Sequence, residues 1–593
     1  MEISSHLPGR KQRLSLVVIL SLLTVWFGVL AVRLFQVQIL DHDRFLETGR
    51  RMRTGTDRVP SLRGDILTAD GSLLSRSVMS YEIGVDPAIL RSEESLVQGV
   101  QIVCDQLGYP GETRRRLLDV ALERSDRRYV RLGQGVEREA ADSLHEALAA
   151  RLTPEETKAF RRIPASHRVH PRRNFCSLIG VTDVDGKGME GLEKSMEDFL
   201  THLPGKRRVV KDATQRLRIY YPENTDVSPI NGYDVVLTID TRTQRILEEE
   251  LEEGIEKNDA AAGLGVVMDC RSGDILAMAS RPSYDPNDYH KYPDEERVRR
   301  RKNRVVENTY EPGSILKPFV ACWALFTGVS YREELIWGGG DVHRLQVGRS
   351  SRQVRDVRDH GPLTLEGVVV HSSNIGMSYL GLRLGRDRLV EMLRRFGFVR
   401  KTGINLPGEA VGWRQSTKEW KELYTSVSVA FGYELRITPI QLCTAFAAIV
   451  NGGYLYKPRI VHKVVRDGDE IVNPTQLVDQ PISEQVSDEM REILHRAVLE
   501  GTGRFLQMEG FSFGGKTGTA DMDPAGGAGY TKEDYLASFE AFAPYEDPEI
   551  VVLVMIEKPR GRSIYGSVVA GPVVAGVLRR YFRVEADITP SLR

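Results

Sequence analysis

Three clusters of residues have the types and spacing for chemistry. In YEPGSILKP, from Tyr310, Ser314 stands three residues before Lys317. Residues three apart share a helical face, so this hydroxyl and amine would meet. A serine is a weak nucleophile until a base takes its proton. A lysine serves as that base only when burial or a second cation lowers its proton affinity. Pro312 and Gly313 suit a turn entering the helix. The second cluster is His371-Ser372-Ser373-Asn374. From a loop, Ser372 would relay protons and Asn374 would hold a substrate amide, while the lysine scheme leaves His371 structural. The third is Gly514-Gly515-Lys516-Thr517-Gly518-Thr519-Ala520. Gly510 to Thr517, GFSFGGKT, also satisfies the phosphate-loop spacing. A phosphate loop must run into a helix, however, and the next residues, TGTADMDPAGG, are rich in Gly and Pro. Small residues here suit a strand edge that a ligand backbone approaches closely. Lys516 would supply charge for a carboxylate, and Thr517 and Thr519 hydroxyls.

Each cluster alone is weak. Their order, Ser-x-x-Lys, Ser-x-Asn, Lys-Thr-Gly, resembles the penicillin-binding protein and serine beta-lactamase superfamily. The words around them resemble the class B, high-molecular-mass penicillin-binding proteins: Asn303-Arg304, LPGEAVG from Leu406, TPIQL from Thr438 and NGG from Asn451. Upstream, RGDIL from Arg63, GMEGLEKSMEDFL from Gly188 and LTIDTRTQ from Leu237 resemble that family's pedestal and the entry to its catalytic domain. Some positions depart from the pattern. Thr68-Ala69-Asp70-Gly71 replaces a common D-R-N-G, Asp521 stands where Gln is frequent, and Glu434-Leu435 occupy a usually glycine-rich turn.

The resemblance implies a peptidoglycan D,D-transpeptidase acting on stem peptides that end in D-Ala-D-Ala. Ser314 would be acylated, with Lys317 as its base, held neutral by the nearby cationic Lys516 and by limited solvent. The N–H groups of Ser314 and Thr519 would form the oxyanion hole. Ser372 would pass a proton to the leaving amine and Asn374 would position substrate and Lys317. Lys516, Thr517, Gly518 and Thr519 would bind the terminal carboxylate, and beta-lactams would inhibit. The implied partners are stem peptides, lipid-linked nascent glycan, a SEDS-type glycosyltransferase and other divisome or elongasome membrane proteins. No cofactor, metal or nucleic acid is implied. SRPSYDPNDY from Ser280 and SVAFGYELRITP from Ser428 look more like the septal branch than the elongation branch. Other expected readings are a D,D-carboxypeptidase side activity or a largely scaffolding protein that activates a glycosyltransferase.

The elements that must position these residues follow a simple order. Arg10, Lys11 and Arg13 precede the uncharged stretch Leu14 to Val32. As a helix, 19 residues rise about 28 Å, close to the ~30 Å hydrocarbon core. With the basic flank inside, everything after Arg33 is expected outside a bacterial cytoplasmic membrane, tethered by a single uncleaved pass. The expected organisation is a cytoplasmic tail (1–13), the anchor (14–32), a pedestal or dimerisation-like domain (33–230), a transpeptidase domain (231–585) and a tail (586–593). The fold class is α+β: the transmembrane helix, an extended α/β pedestal, then an antiparallel sheet covered by helices. Strands are expected at Ser80–Val85, Asp234–Ile239 and Glu549–Ile556. A hairpin is expected at Gly263–Ala279, Asp240 should cap a helix over Thr241–Glu253, and Gly188–Glu193 should open a helix of about a dozen residues. The basic run RRRKNR within 298–304 reads as a solvated loop.

Composition narrows the classes further. The chain has 593 residues, 41% hydrophobic and 27% charged, which excludes a mainly disordered protein. Its 81 Lys and Arg against 82 Asp and Glu leave no excess cation for phosphate backbones. The five cysteines lie far apart and read as small buried hydrophobes.

Overall fold

The computed structural model describes residues 10–90, 92–124, 127, 129–172, 175–183, 185–211, 218–220, 227–287, 293–412, 420–522 and 534–584. Residues 1–9 and the expected tail at 586–593 lie outside them, as do the last two residues of the SRPSYDPNDY phrase. The described chain divides into two compact units, 1–61 with 203–230, and 62–202 with 231–593. The expected pedestal thus contributes to both.

In the first unit, α1 (Arg10–Phe35) carries the apolar stretch as one helix with its apolar side chains exposed. It is the one described helix long and apolar enough to cross a membrane. A three-stranded sheet of Thr54–Val59, Gly205–Lys211 and Arg218–Tyr220 accompanies it.

The second unit is built on a five-stranded antiparallel sheet. Its strands are β1 (Ala262–Asp269), β2 (Ile275–Arg281), β5 (Gly514–Asp521), β6 (Tyr535–Ala543) and β7 (Ile550–Glu557), in spatial order β2-β1-β7-β6-β5. The hairpin β3 (Val342–Val347) and β4 (Ser350–Arg355) stands apart from it. Both faces of the main sheet are covered, so its strands are apolar nearly throughout. One face packs on α2 (Thr241–Lys257) and α8 (Gly571–Phe582). The other packs on α3 (Lys317–Phe326), α6 (Pro439–Val450) and α7 (Glu484–Leu499). The Asp240 carboxylate accepts the Thr243 N–H and caps α2, as expected. The remaining helices near the site are α4 (Leu365–Val370) and α5 (Asn374–Arg395).

A second sheet strings together Asp469–Val472, Val461–Arg466, Asp234–Leu237, Ile66–Leu67, Leu73–Val85 and Val130–Val136, with Phe160–Val169 paired to Leu73–Val85. Behind it, Arg63 and Arg168 clamp the buried Glu193, at 2.7 and 2.8 Å. Two expectations fail here. The helix opened by Gly188–Glu193 is broken into Gly191–Ser195 and Glu197–Leu200, because Met196 leaves helical geometry (φ −104°, ψ 18°). The basic run is also partly helical, within Asp294–Arg301, where Arg300 reaches back to Glu296 and Arg301 pairs with Glu190. All five cysteines are buried and free.

Candidate active site

Ser314 sits in a 3-10 turn, Gly313–Leu316, that runs straight into α3. The turn is fixed by a close backbone approach. The Gly313 N–H donates to the Gly432 carbonyl (3.0 Å), and a Cβ on Gly432 would lie 2.0 Å from the Gly313 oxygen. Gly313 itself has φ +56°, which glycine adopts at least cost. Ser314 is half-buried, whereas Lys317, at the start of α3, is fully buried.

Lys317 Nζ donates to the Ser372 carbonyl (2.6 Å), Asn374 Oδ1 (2.7 Å) and Ser372 Oγ (3.2 Å). Lys516, on β5 and also fully buried, donates from the other side to Ser372 Oγ (2.9 Å) and to the Thr517 carbonyl (3.1 Å). Ser372 Oγ therefore bridges two buried lysine amines. Its backbone has φ +61°, a region a non-glycine residue enters only when its surroundings over-determine it. Asp356 supplies much of that determination. Its carboxylate accepts the Ser373 hydroxyl (2.6 Å) and the N–H groups of Asn374 (2.5 Å) and Ile375 (3.1 Å), at the start of α5. An acid there also satisfies orphan donors of the helix and complements its dipole. Asn374 Nδ2 donates to the Arg355 carbonyl (3.0 Å), which orients its oxygen toward Lys317.

Burial pulls the Lys317 ammonium down to about 7, against the opposing charge of Asp356. Burial pulls Lys516 well below its ordinary value, and the charge of Lys317 lowers it further. The sequence analysis expects Lys317 to be held neutral by limited solvent and by the charge of Lys516. Burial is the larger cause at both amines, and the two repel each other across the shared Ser372 hydroxyl. Lys317 has the charge of Asp356 and three acceptors beside it, while Lys516 has two acceptors and the buried Glu540 opposite it on the neighbouring strand β6. The three acceptors of Lys317 belong to Ser372 and Asn374, and Ser314 makes no hydrogen bond to it among the described residues; catalytic hydrogen bonds often tighten only around substrate.

The strand β5 is the free edge of the sheet, so a ligand strand can pair with it. Lys516 faces the helices. Thr517 and Thr519 alternate to the other side, where Thr517 Oγ1 donates to Thr502 Oγ1 (2.7 Å) and Thr519 Oγ1 accepts the Gly566 N–H (3.1 Å).

This arrangement can be set beside known proteins. The penicillin binding protein transpeptidase domain model matches residues 263–579. The chain is 30% identical over 558 residues to the probable peptidoglycan D,D-transpeptidase PbpC of Pseudomonas aeruginosa, covering 92% of each. It is 29% identical over 568 residues to the peptidoglycan D,D-transpeptidase FtsI of Escherichia coli, covering 94% of this chain and 90% of that one. This chain belongs to the penicillin-binding protein transpeptidase family, and its relatives are of class B. The fold agrees: a peptidoglycan synthetase structure from Bifidobacterium adolescentis superposes with a TM-score of 0.68 at 24% identity, covering 91% of this chain and 99% of that one.

In this penicillin-binding protein the structure brings Lys317, Ser372, Asn374 and Lys516 into one hydrogen-bonded group, with Ser314 one turn before Lys317. Thr517, Gly518 and Thr519 line the adjoining edge strand. His371 stays outside the group, stacked on His360 with ring centroids 4.5 Å apart. Sequence reasoning missed Asp356 and Thr502. Asp356 lies 17 residues before Ser373, with α4 between them, a separation that no local spacing rule spans. Thr502 stands between two glycines, Gly501 and Gly503, a loop signal without chemistry of its own.

Proposed function

We propose that this chain is a membrane-anchored peptidoglycan D,D-transpeptidase that works through a Ser314 acyl-enzyme. The observation that carries this reading is the Lys317–Ser372–Lys516 group set one helical turn from Ser314. A substrate carboxylate held along the Lys516–Thr519 strand favours charge on Lys516, and repulsion between the two amines then makes Lys317 give up its proton more readily. Neutral Lys317 takes the Ser314 proton, and Oγ bonds to the penultimate D-Ala carbonyl carbon. The oxyanion is met by the N–H groups of Ser314 and Thr519, each preorganised donor contributing about 3 kcal/mol. Collapse breaks the C–N bond, and Ser372 delivers a proton to the departing D-Ala. An amine of a neighbouring stem peptide then attacks the ester, or water does in a carboxypeptidase side reaction.

The septal role is favoured by the phrases SRPSYDPNDY from Ser280 and SVAFGYELRITP from Ser428; an elongation role is the second reading. The basic flank of Arg10, Lys11 and Arg13 supports a cytoplasmic start of α1 with the catalytic unit outside. The wall glycan comes from a separate glycosyltransferase of the membrane. The test is labelling of the detergent-solubilised full chain by a fluorescent penicillin, with Ser314→Ala alongside. A stable band in the wild type alone is expected. A band retained in Ser314→Ala overturns the nucleophile assignment.

A further inference from the structure

The hairpin β3–β4 is a rigid paddle whose inner face is anchored and whose outer face is free. Leu345 and Val354 are buried with Ile375, Leu423 and Val427. His343 accepts or donates a 2.8 Å hydrogen bond with Tyr379 Oη and packs on Trp337. Arg352 lies over the Phe431 ring and donates to the Tyr424 carbonyl and Ser428 Oγ. Alternation puts the other residues outward. Paired in register, they are Val342 with Arg355, Arg344 with Gln353, and Gln346 with Ser351, all exposed.

This outer face carries cations, amides and a hydroxyl over about 20 Å, the length of six strand residues, and no acid. Arg349 extends it at the turn, and Arg358 extends it past the root. Among the described residues, Arg344, Arg349, Arg355 and Arg358 make no ion pair, although exposed arginines elsewhere in the chain pair freely, as Arg394 does with Glu391. The flanking acids do not neutralise the face. Asp356 is committed to the start of α5, and Asp359 accepts the N–H groups of Gly340 and Gly361; Asp341 stands at the root. The track ends at the catalytic turn: the Arg355 carbonyl holds Asn374, and the Arg358 charge lies close enough to bear on His371, the neighbour of Ser372.

We infer that the outer face of this hairpin is a docking surface for an acidic peptide strand, guiding a carboxylate-bearing arm of the wall substrate to the Ser372 turn. The guanidinium forks match carboxylates in a bidentate way. The interleaved Gln346, Gln353 and Ser351 supply donors and acceptors for peptide groups, which a bare phosphate chain would leave unused. The identity of the occupant rests on the transpeptidase reading; the acidic-peptide chemistry rests on the face alone.

The experiment uses the full chain in detergent and a fluorescein-labelled peptide of five Glu-Ala repeats, read by anisotropy at low salt, with inorganic polyphosphate as competitor. The double variant Arg344→Gln, Arg349→Gln is compared with the double Lys variant. Two exposed pairs, each about two- to fivefold, predict binding weaker by about four- to twenty-five-fold in the Gln variant, with the Lys variant between it and the wild type. Penicillin labelling should stay within twofold, since neither residue belongs to the catalytic group, and this also reports that the variants fold. Unchanged peptide binding in the Gln variant overturns the inference. So does stronger binding of polyphosphate than of the peptide, which would make the face a phosphate-polymer site. Failure of wild-type labelling by penicillin sinks the transpeptidase reading while leaving the peptide measurement standing.

Discussion

Replacing Lys317 with Met should make the protein more stable at neutral pH while abolishing acylation. The fall of the Lys317 ammonium from its ordinary 10.5 to about 7 corresponds to about 5 kcal/mol of burial cost, at about 1.4 kcal/mol per pH unit. Met fills the same space without charge. It also orphans two acceptors, the Ser372 carbonyl and Asn374 Oδ1, at about 1.5 kcal/mol each. The net gain at pH 7 is about 2 kcal/mol, and relief of Lys516 from the Lys317 charge adds to it. The sign of the pH dependence follows from the lowered folded value. Between about 7 and 10.5 the unfolded chain holds the lysine proton and the folded chain does not, so wild-type stability rises with pH in that window. The Met variant lacks this rise. Its advantage therefore shrinks from pH 7 upward, passes through zero near about pH 8, and becomes a deficit of about 3 kcal/mol by about pH 10.5. The assay is the urea midpoint of the full chain in detergent, read by pulse proteolysis at pH 6 to 10, beside penicillin labelling. A Met variant less stable than wild type at pH 7, or a difference that does not change with pH, would refute the claim that burial of the ammonium is what primes this base.

Two further perturbations probe groups around the base. Asp356→Asn removes the charge that holds the Lys317 proton affinity up and weakens the cap on α5. Acylation should slow about tenfold or more, and the acidic limb of its pH profile should move to lower pH; a limb that stays put or rises counts against Asp356 acting on Lys317. Glu540→Leu should stabilise the fold by about 1–3 kcal/mol at pH 7. Glu540 lies on β6 in register with Lys516, is fully buried, and has no hydrogen-bond partner for either carboxyl oxygen among the described residues. Burial holds its carboxyl well above the usual range, so wild-type stability falls as pH rises above about 4.5 and the advantage of Leu grows with it. A lower urea midpoint for Glu540→Leu would mean that the carboxyl has a compensating partner.

The side chains that the structure groups were legible because each family word carries them in one local element. Ser314 and Lys317 share a turn entering a helix, Ser372 and Asn374 one helix start, and Lys516 to Thr519 one strand. Several flanking words proved to be caps and turns. Thr438 and Gln441 form a capping box on α6, and the Glu409 carboxylate accepts the Thr402 N–H and hydroxyl. What joins the clusters was not legible. The sequence separation between Lys317 and Ser372 is 55 residues, and between Ser372 and Lys516 it is 144. Contacts of that range depend on how helices pack on the sheet, which period and propensity do not encode. The charge that opposes burial at Lys317 was equally hidden, because Asp356 follows the hairpin β3–β4, outside every motif. The single long helix expected after Gly188 fails at Met196, whose backbone leaves helical geometry between two short helices, while Glu193 on the first of them meets Arg63 and Arg168.

The geometry around Ser372 argues that this site is built to be switched by its ligand. One hydroxyl oxygen lies 3.2 Å from Lys317 and 2.9 Å from Lys516. Two full charges sharing that contact in a dry pocket are costly, so the pair holds fewer than two protons near neutral pH. Asp356 and the acceptors around Lys317 favour a proton there, which opposes its use as a base. Under the proposed function, an anion docked beside Lys516 favours charge on Lys516, and the repulsion between the two amines then eases the proton off Lys317. Activation of Ser314 would thereby be tied to occupancy of the carboxylate end of the cleft. Under the proposed function, a ligand that acylates Ser314 but lacks a carboxylate should react slowly in proportion to the fraction of Lys317 already neutral. It should also gain more from rising pH than a carboxylate-bearing ligand, whose binding has already shifted the proton.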